Sequence, residues 1–151
     1  MSEATPQFIG EYEDVPVDPK GRLIVPSACR KALPMGVTTF VIAQWFDGCL
    51  AGFDPKGWQR VLGKLQTLDG GQKQSRQLIR SVAGRAVEAR IDRQGRVLIP
   101  RKLLDRAGIT DRATINGAVD RIELWNPERY ADYMDEADQK LEEIAEEMDI
   151  L

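Results

Sequence analysis

The chain has 151 residues, of which 42% are hydrophobic and 30% charged, and its formal net charge is −3 at pH 7. These values are typical of one ordinary globular domain, and no apolar run approaches the roughly 18 residues that a membrane span needs. The sequence has no histidine, two isolated cysteines and no carboxylate pair within apolar sequence. We therefore expect no enzyme, no metal, no other cofactor and no small-molecule substrate.

The charges are distributed unevenly along the chain. Residues 128–151 contain ten acidic and two basic residues, and residues 1–14 contain four acidic residues and no basic one. Residues 15–127 therefore carry a net charge of +9. A basic body between acidic ends is typical of a protein with an anionic partner. Charge alone leaves open the alternative that these side chains are only solvated.

The first half alternates short elements with strong turn signals. In chain order we predict strands over 12–17 and 22–25, a helix over 27–33, strands over 38–45 and 49–53, and helices over 55–68 and 75–82. The first two strands flank a turn, Asp18-Pro19-Lys20-Gly21, in which proline suits the second position and glycine supplies a positive φ. Prolines at positions 26 and 55 favour the start of the helices that follow them.

The second half repeats this order of elements. Residues 17–26 read VDPKGRLIVP, and residues 91–100 read IDRQGRVLIP. The offset of 74 falls to 72 at the next match, where Phe53-Asp54-Pro55 corresponds to Trp125-Asn126-Pro127. The predicted strands are 87–91, 97–99, 113–118 and 122–125, and the predicted helix between them is 101–107. Because halves of about 70 residues bury too little surface alone, we expect one fused domain with a shared core.

The last predicted helix begins after Pro127 and carries an apolar seam with alternating spacings of four and three residues, which is the heptad pattern. The seam residues are Tyr130, Met134, Ala137, Leu141, Ile144, Met148 and Leu151. The pattern leaves two alternatives open. The helix could lie across its own domain, or it could pack between neighbouring chains.

The repeated frame consists of an aliphatic residue, Asp, two variable polar residues, Gly, Arg, three aliphatic residues and Pro, and it resembles the SpoVT-AbrB DNA-binding unit. Two tandem copies followed by a long helix resemble the MraZ family of bacterial transcriptional regulators, which is associated with the division and cell-wall gene cluster. The resemblance covers residues 8–151. The units it indicates are a first SpoVT-AbrB unit over 8–55, a helical connector over 56–84, a second unit over 85–127 and an acidic amphipathic helix over 128–151.

The resemblance implies an α+β fold, mainly a β-barrel with helices. Two interlocked AbrB-like halves, swapped hairpins in a double-split barrel, would form a pseudo-dimer within one chain. It also implies a cytoplasmic, nucleoid-associated protein that forms a homo-oligomeric ring and binds short direct repeats in promoter double-stranded DNA. The DNA contacts that it carries over are Arg22 and Arg96, with Asp18 and Asp92 as their structural partners.

The residue types support this role independently. An arginine that starts a strand after a tight turn can project from a β-ribbon into the major groove, where its planar fork pairs with guanine O6 and N7. We expect Asp18 to hold Arg22, and Asp92 to hold Arg96, by a bidentate pair. The alternative is that these pairs only close their turns as local salt bridges.

The turn tips add further candidates. Gly21 and Gly95 provide the backbone freedom that each chain reversal needs. Lys20, Arg93 and Gln94 lie at the tips, and we expect them to contact phosphates or base edges.

A rival hypothesis, from another class, is a protein-interaction module that binds no nucleic acid, such as an antitoxin-like AbrB barrel. The acidic helix over 128–151 could then hold a protein partner. The charge of +9 over residues 15–127 and the duplicated arginine turn favour DNA, because the rival leaves both features unexplained.

Overall fold

The computed structural model describes residues 5–150 of the chain. The elements in chain order are β1 Glu11–Pro16, β2 Arg22–Ile24, α1 Ser27–Ala32, β3 Thr39–Gln44, β4 Leu50–Phe53, α2 Pro55–Gln66, α3 Lys73–Val82, β5 Val87–Arg90, β6 Arg96–Leu98, α4 Arg101–Arg106, β7 Arg112–Gly117, β8 Ile122–Trp125, α5 Pro127–Gln139 and α6 Leu141–Glu147. A short 3₁₀ turn over Phe46–Gly48 joins β3 to β4. The elements predicted before residue 127 are therefore confirmed, and only their ends shift. Within the described residues, no helix is both long and apolar enough to cross a membrane.

The last helix differs from the prediction. It breaks at Lys140, whose backbone has φ −108° and ψ 6°, so that α5 and α6 are separate helices. A heptad pattern specifies which side chains share a helical face, but it does not fix whether the backbone bends between two turns. Aromatic contacts of Tyr130 and Tyr133 with Trp125 hold α5 against the sheet. The final seam position, Leu151, lies outside the described residues.

Every strand of one half pairs with a strand of the other half. A six-stranded antiparallel sheet has the order β1-β7-β8-β4-β3-β5, and β2 pairs with β6 in a separate two-stranded ribbon. Each of the pairs β1–β7, β4–β8, β3–β5 and β2–β6 joins a strand of the first half to one of the second. Neither half can therefore complete its strand hydrogen bonds without the other.

The register of these pairs follows the sequence repeat. Leu23 is opposite Val97, which is its own equivalent at the offset of 74. Ala51 is opposite Glu123, which is its equivalent at the offset of 72. Pairs that join equivalent residues lie on a pseudo-twofold axis, and this axis relates the two halves within one chain.

The mixed α+β class is confirmed, but the closed β-barrel is not. The described sheet is open, since its edge strands β1 and β5 pair with β7 and β3 and not with one another. The strands of the ribbon have three residues each, and among the described strands each pairs only with the other. Strands this short leave the ladder interrupted between the ribbon and the larger sheet, so no continuous ring of hydrogen bonds forms.

A single core lies between the sheet, the ribbon and helices α1 and α4. It contains residues of both halves, among them Phe8, Phe40 and Leu50 together with Leu104 and Ile115, all almost fully buried. The rings of Phe8 and Phe40 lie 5.9 Å apart at a tilted angle. The core is therefore shared, as the small size of each half predicts.

We expect the two halves to unfold in one transition, because every strand has a partner in the other half. Two variants that each keep one tryptophan report on the two halves separately. The variant Trp58→Phe, Trp125→Phe keeps Trp45 in the first half. The variant Trp45→Phe, Trp58→Phe keeps Trp125 in the second half. Their urea midpoints by fluorescence should agree with each other and with circular dichroism. Leu50→Ala should lower the free energy of unfolding by about 2–5 kcal/mol in both reporters. Separate midpoints would contradict a shared core.

Candidate nucleic-acid interface

Each strand of the β2–β6 ribbon begins at a tight turn, and the two turns have the same pattern of internal hydrogen bonds. In the first turn the N–H of Gly21 donates to the carbonyl oxygen of Asp18, and the N–H of Asp18 donates to that of Arg22, both at 2.9 Å. The second turn repeats these bonds at 3.0 and 2.9 Å. Gly21 and Gly95 have φ of +94° and +82°, a region that L-residues with a Cβ rarely adopt.

The aspartate of each turn divides its two oxygens between the backbone and the arginine. Oδ1 of Asp18 accepts the N–H groups of Lys20 and Arg22 at 2.9 Å, and Oδ2 accepts Nε–H of Arg22 at 2.6 Å. Asp92 makes the same contacts, with Nε of Arg96 at 2.9 Å. The backbone N–H of the arginine is the main reason that the pKa of each carboxyl is lowered. Both carboxylates therefore stay ionised at neutral pH.

The Asp–Arg contact differs from the predicted bidentate pair. Only Nε of each arginine reaches its aspartate, because the other carboxylate oxygen accepts backbone N–H groups. Within residues 5–150, no hydrogen bond engages the terminal Nη nitrogens of Arg22 or Arg96. Their side chains are 40% and 38% exposed. Each guanidinium is therefore held at its base and keeps two N–H-bearing nitrogens available for a ligand.

The ribbon buries one face and exposes the other, as the alternation of side chains along a strand requires. Leu23 and Val97 are both 3% exposed and face the core. The outward face carries Arg22, Ile24, Arg96 and Leu98. Arg22 lies opposite Leu98, and Ile24 lies opposite Arg96. The face therefore combines two guanidinium groups with two aliphatic side chains.

Ile24 and Leu98 belong to this face but were not among the predicted site residues. Each belongs to an aliphatic run that reads as core, yet the structure leaves them 54% and 56% exposed. The signal was present in the sequence, because residues two apart in a strand share a face. Ile24 must therefore share the face of Arg22, and Leu98 must share the face of Arg96.

The three candidates at the turn tips, Lys20, Arg93 and Gln94, are all exposed and lie within two or three residues of the arginines. The backbone N–H groups of Lys20 and Gln94 donate to the turn aspartates. Their side chains have no hydrogen-bond partner in the described part of the chain. Their contact with nucleic acid, like that of the two arginines, stays a prediction.

Arg101 is a second residue that sequence reasoning missed. Its Nη2 donates to the carbonyl oxygen of Asp18 at 2.7 Å, so helix α4 of the second half holds the turn of the first. At the offset of 74, the equivalent position is Ser27, whose side chain is too short for this bond. On the other turn, Arg30 lies against Gly95 instead. The only sequence signal for this role of Arg101 is that the repeat ends at residue 100, so that the next position differs between the two halves.

The two turn glycines should differ in their tolerance of alanine. A Cβ at Gly21 would overlap the carbonyl oxygen of Ile99, whereas a Cβ at Gly95 would lie 2.8 Å from the guanidinium carbon of Arg30. The Arg30 side chain can move and the backbone cannot. We expect Gly95→Ala to cost about 1–2 kcal/mol of stability from the positive φ alone.

Gly21→Ala should cost roughly 3–5 kcal/mol, because a backbone clash adds to the same strain. Urea denaturation of the two variants measures the difference. Equal costs, or a larger cost at Gly95, would contradict this geometry.

The chain matches a protein-family model in two tandem segments. The family model described as “MraZ protein, putative antitoxin-like” matches the chain twice, over residues 8–81 and 82–150. Each match contains one Asp–Arg turn, one strand of the ribbon and the helices that follow the hairpin. The two matches together span nearly the whole chain and meet near the end of α3. They confirm that the chain resembles two tandem units of one family, as the repeated frame indicates.

Proposed function

This chain belongs to the MraZ family, and we propose that it is a sequence-specific DNA-binding transcriptional regulator without enzymatic activity. The observation that carries the proposal is the outward face of the ribbon, where two arginines are held at Nε and keep their Nη nitrogens available. The partner is double-stranded promoter DNA with short direct repeats, in the division and cell-wall gene cluster. The protein would therefore act at the nucleoid.

A two-stranded ribbon can enter the major groove, where each base pair has a distinct pattern of donors and acceptors. The Nη pair of Arg22 or Arg96 matches guanine O6 and N7, and one such contact discriminates by about 1–3 kcal/mol. Because the aspartate already restricts the guanidinium, less conformational entropy is lost on binding. Lys20, Arg93 and Gln94 would fix the register through phosphates or base edges.

The two aliphatic residues of the ribbon have a natural partner in the same groove. Ile24 and Leu98 lie directly across from the arginines and are more than half exposed. Thymine presents a C5 methyl group in the major groove, and apolar side chains contact it. We assign Ile24 and Leu98 to thymine methyl groups that neighbour the guanines.

The proposed function includes a pseudo-dimeric arrangement of the two halves. The pseudo-twofold pairing of Leu23 with Val97 supports a pseudo-dimer of AbrB-like swapped hairpins in a barrel-like arrangement. One chain then offers only two arginine turns, which is a small footprint. A homo-oligomeric ring would repeat the turns at a fixed spacing, and effective concentration would raise the avidity for repeated sites.

The arginines are tested with Arg22→Ala and Arg96→Ala, alone and combined. Each should reduce discrimination between a repeat-bearing promoter fragment and an unrelated duplex by about 1–3 kcal/mol. Arg→Lys at both positions is the matched control, since it keeps the charge and removes the fork. It should retain nonspecific affinity and lose discrimination. Fluorescence anisotropy titrations with both duplexes measure the two quantities.

Lys20→Ala should instead weaken binding to both duplexes alike and reduce the slope of log K against log salt by about 1. The proposal would be refuted if the double alanine variant kept both its affinity and its specificity.

The aliphatic pair is tested by replacing thymine with deoxyuridine in the repeats, which removes only the methyl group. The wild-type protein should lose about 0.8 kcal/mol of binding free energy for each methyl contact removed. Ile24→Ala with Leu98→Ala should bind thymine and deoxyuridine duplexes equally. If this variant still preferred thymine to the same degree as wild type, the assignment would be wrong.

A protein-binding function is the second candidate. The family description contains the term antitoxin-like. Leu141, the first residue of α6, and Met148, which directly follows α6, are 65% and 74% exposed. That function would use α5 and α6 rather than the ribbon. Retention on immobilised promoter DNA that falls with salt and is absent in the double alanine variant favours the regulator. Capture of another protein that depends on residues 128–150, without DNA retention, favours the rival.

A further inference from the structure

An acidic cleft of about 580 Å³ lies between helix α5 and the edge strand β1. This volume falls within the roughly 300–1,000 Å³ of small-molecule sites. The described residues that line the cleft include no basic residue and none from the ribbon or the arginine turns, so the cleft is separate from the proposed DNA-binding face. Its lining carboxylates are those of Glu11, Glu13, Asp14, Asp135 and Asp138.

Two of these carboxylates are already engaged within the chain. Asp14 pairs with Arg112 at 2.5 Å, and the hydroxyl of Tyr130 donates to Glu11. Burial, together with the Glu11 carboxylate, raises the pKa of Tyr130, so this hydroxyl stays protonated and remains a donor. The carboxylates that form no salt bridge with any residue from 5 to 150 are those of Glu13, Asp135 and Asp138. They are the groups of the cleft that a cation can use.

The floor of the cleft contains a buried hydroxyl group without a partner. Thr114 lies on β7 between Ala113 and Ile115, which belong to the core, so strand alternation directs its side chain to the opposite face of the sheet. It is 4% exposed and lines the cleft. None of the residues that the structure describes hydrogen-bonds to its hydroxyl. Because buried hydroxyls are normally hydrogen-bonded, this one indicates that a polar group of a ligand belongs beside it.

The arrangement of the carboxylates selects an extended cation over a metal ion. A divalent metal ion needs several oxygens that converge on one point at about 2.0–2.6 Å. Among the described residues, no three acidic side chains come close enough together to hold one. Asp135 and Asp138 instead lie one turn apart along α5, and Glu13 faces them from β1. Apolar Ala131 and Met134 lie on the same face of α5, so charge and apolar surface alternate along the cleft.

We propose that the acidic cleft binds a linear polyamine, in which ammonium groups are separated by short methylene segments. The ammonium groups pair with the three available carboxylates, and the methylene segments lie on Met134 and Ala131. The hydroxyl of Thr114 accepts a hydrogen bond from one ammonium group, which has only donors.

A polyamine fits the cleft better than a lysine of a protein partner does. A lysine side chain brings one ammonium group, whereas the carboxylates of Glu13, Asp135 and Asp138 are distributed along the cleft. The site goes beyond the proposed DNA-binding function and shares none of the arginines on which that function depends.

Calorimetric titration of the full chain with the triamine spermidine, without DNA, tests the site. An ionic strength of about 0.15 M screens scattered surface charges, because the Debye length is then about 8 Å. Wild type should bind one spermidine per chain. Thr114→Val keeps the shape and charge of the cleft and removes the hydroxyl, so it should raise Kd about tenfold. Thr114→Ser retains the hydroxyl and should bind like wild type.

The contribution of charge is measured separately. Asp135→Asn with Asp138→Asn should raise Kd by more than about tenfold, because both ion pairs of α5 are lost. Glu142→Gln with Glu143→Gln is the matched control, since it removes the same charge from α6, outside the cleft lining. Its Kd should stay within about twofold of wild type.

Several results would overturn the inference: a wild type that does not bind spermidine, a Thr114→Val variant that binds as wild type does, or a control variant that loses as much affinity as the Asp135, Asp138 variant. Tighter binding of a tri-lysine peptide than of spermidine would also contradict it. Circular dichroism checks that each variant is folded. Should Thr114→Val fail to fold, the Asp135, Asp138 variant and its control decide the outcome. Arg22→Ala with Arg96→Ala separates the two proposals, because it should bind spermidine normally and lose only specific DNA binding.

Discussion

The pairing of β2 with β6 is the constraint on which the rest of the site depends. It places Leu23 opposite Val97 on the pseudo-twofold axis and so fixes where both arginine turns lie relative to one another. The buried faces of these two residues anchor the ribbon to the common core. Because the ribbon takes one strand from each half, neither turn can be positioned until the two halves have come together.

Within that frame, the turn aspartates convert flexible arginines into partly fixed ones. A free arginine loses much rotamer freedom when it is immobilised by a ligand. A carboxylate that is itself held by two backbone N–H groups restricts the guanidinium at Nε and leaves Nη1 and Nη2 unused. The exposed pair contributes little to folding stability, since solvent screens it. Under the proposed function, its repetition in both turns is explained by a role in presenting the arginines to DNA.

Local patterns predict most elements of this fold and the position of the arginine turns, because turn chemistry and helix starts depend on near neighbours in sequence. The break at Lys140, the open sheet and the bond from Arg101 to Asp18 depend on packing between distant segments, which no local pattern contains. The exposure of Ile24 is predictable from the sequence only in part. Strand alternation indicates its face, but hydrophobicity suggests burial, and the structure follows alternation.

The unequal support of the two turns has a consequence for symmetry. Arg101 secures one turn through its backbone, while the other turn has Arg30 beside its glycine. Two identical subunits around a true dyad must recognise identical half-sites, so their targets are palindromes. Covalent fusion of the two copies removes that obligation. Under the proposed function, each turn can acquire its own base preference, and an asymmetric recognition element would then have a single orientation along the duplex.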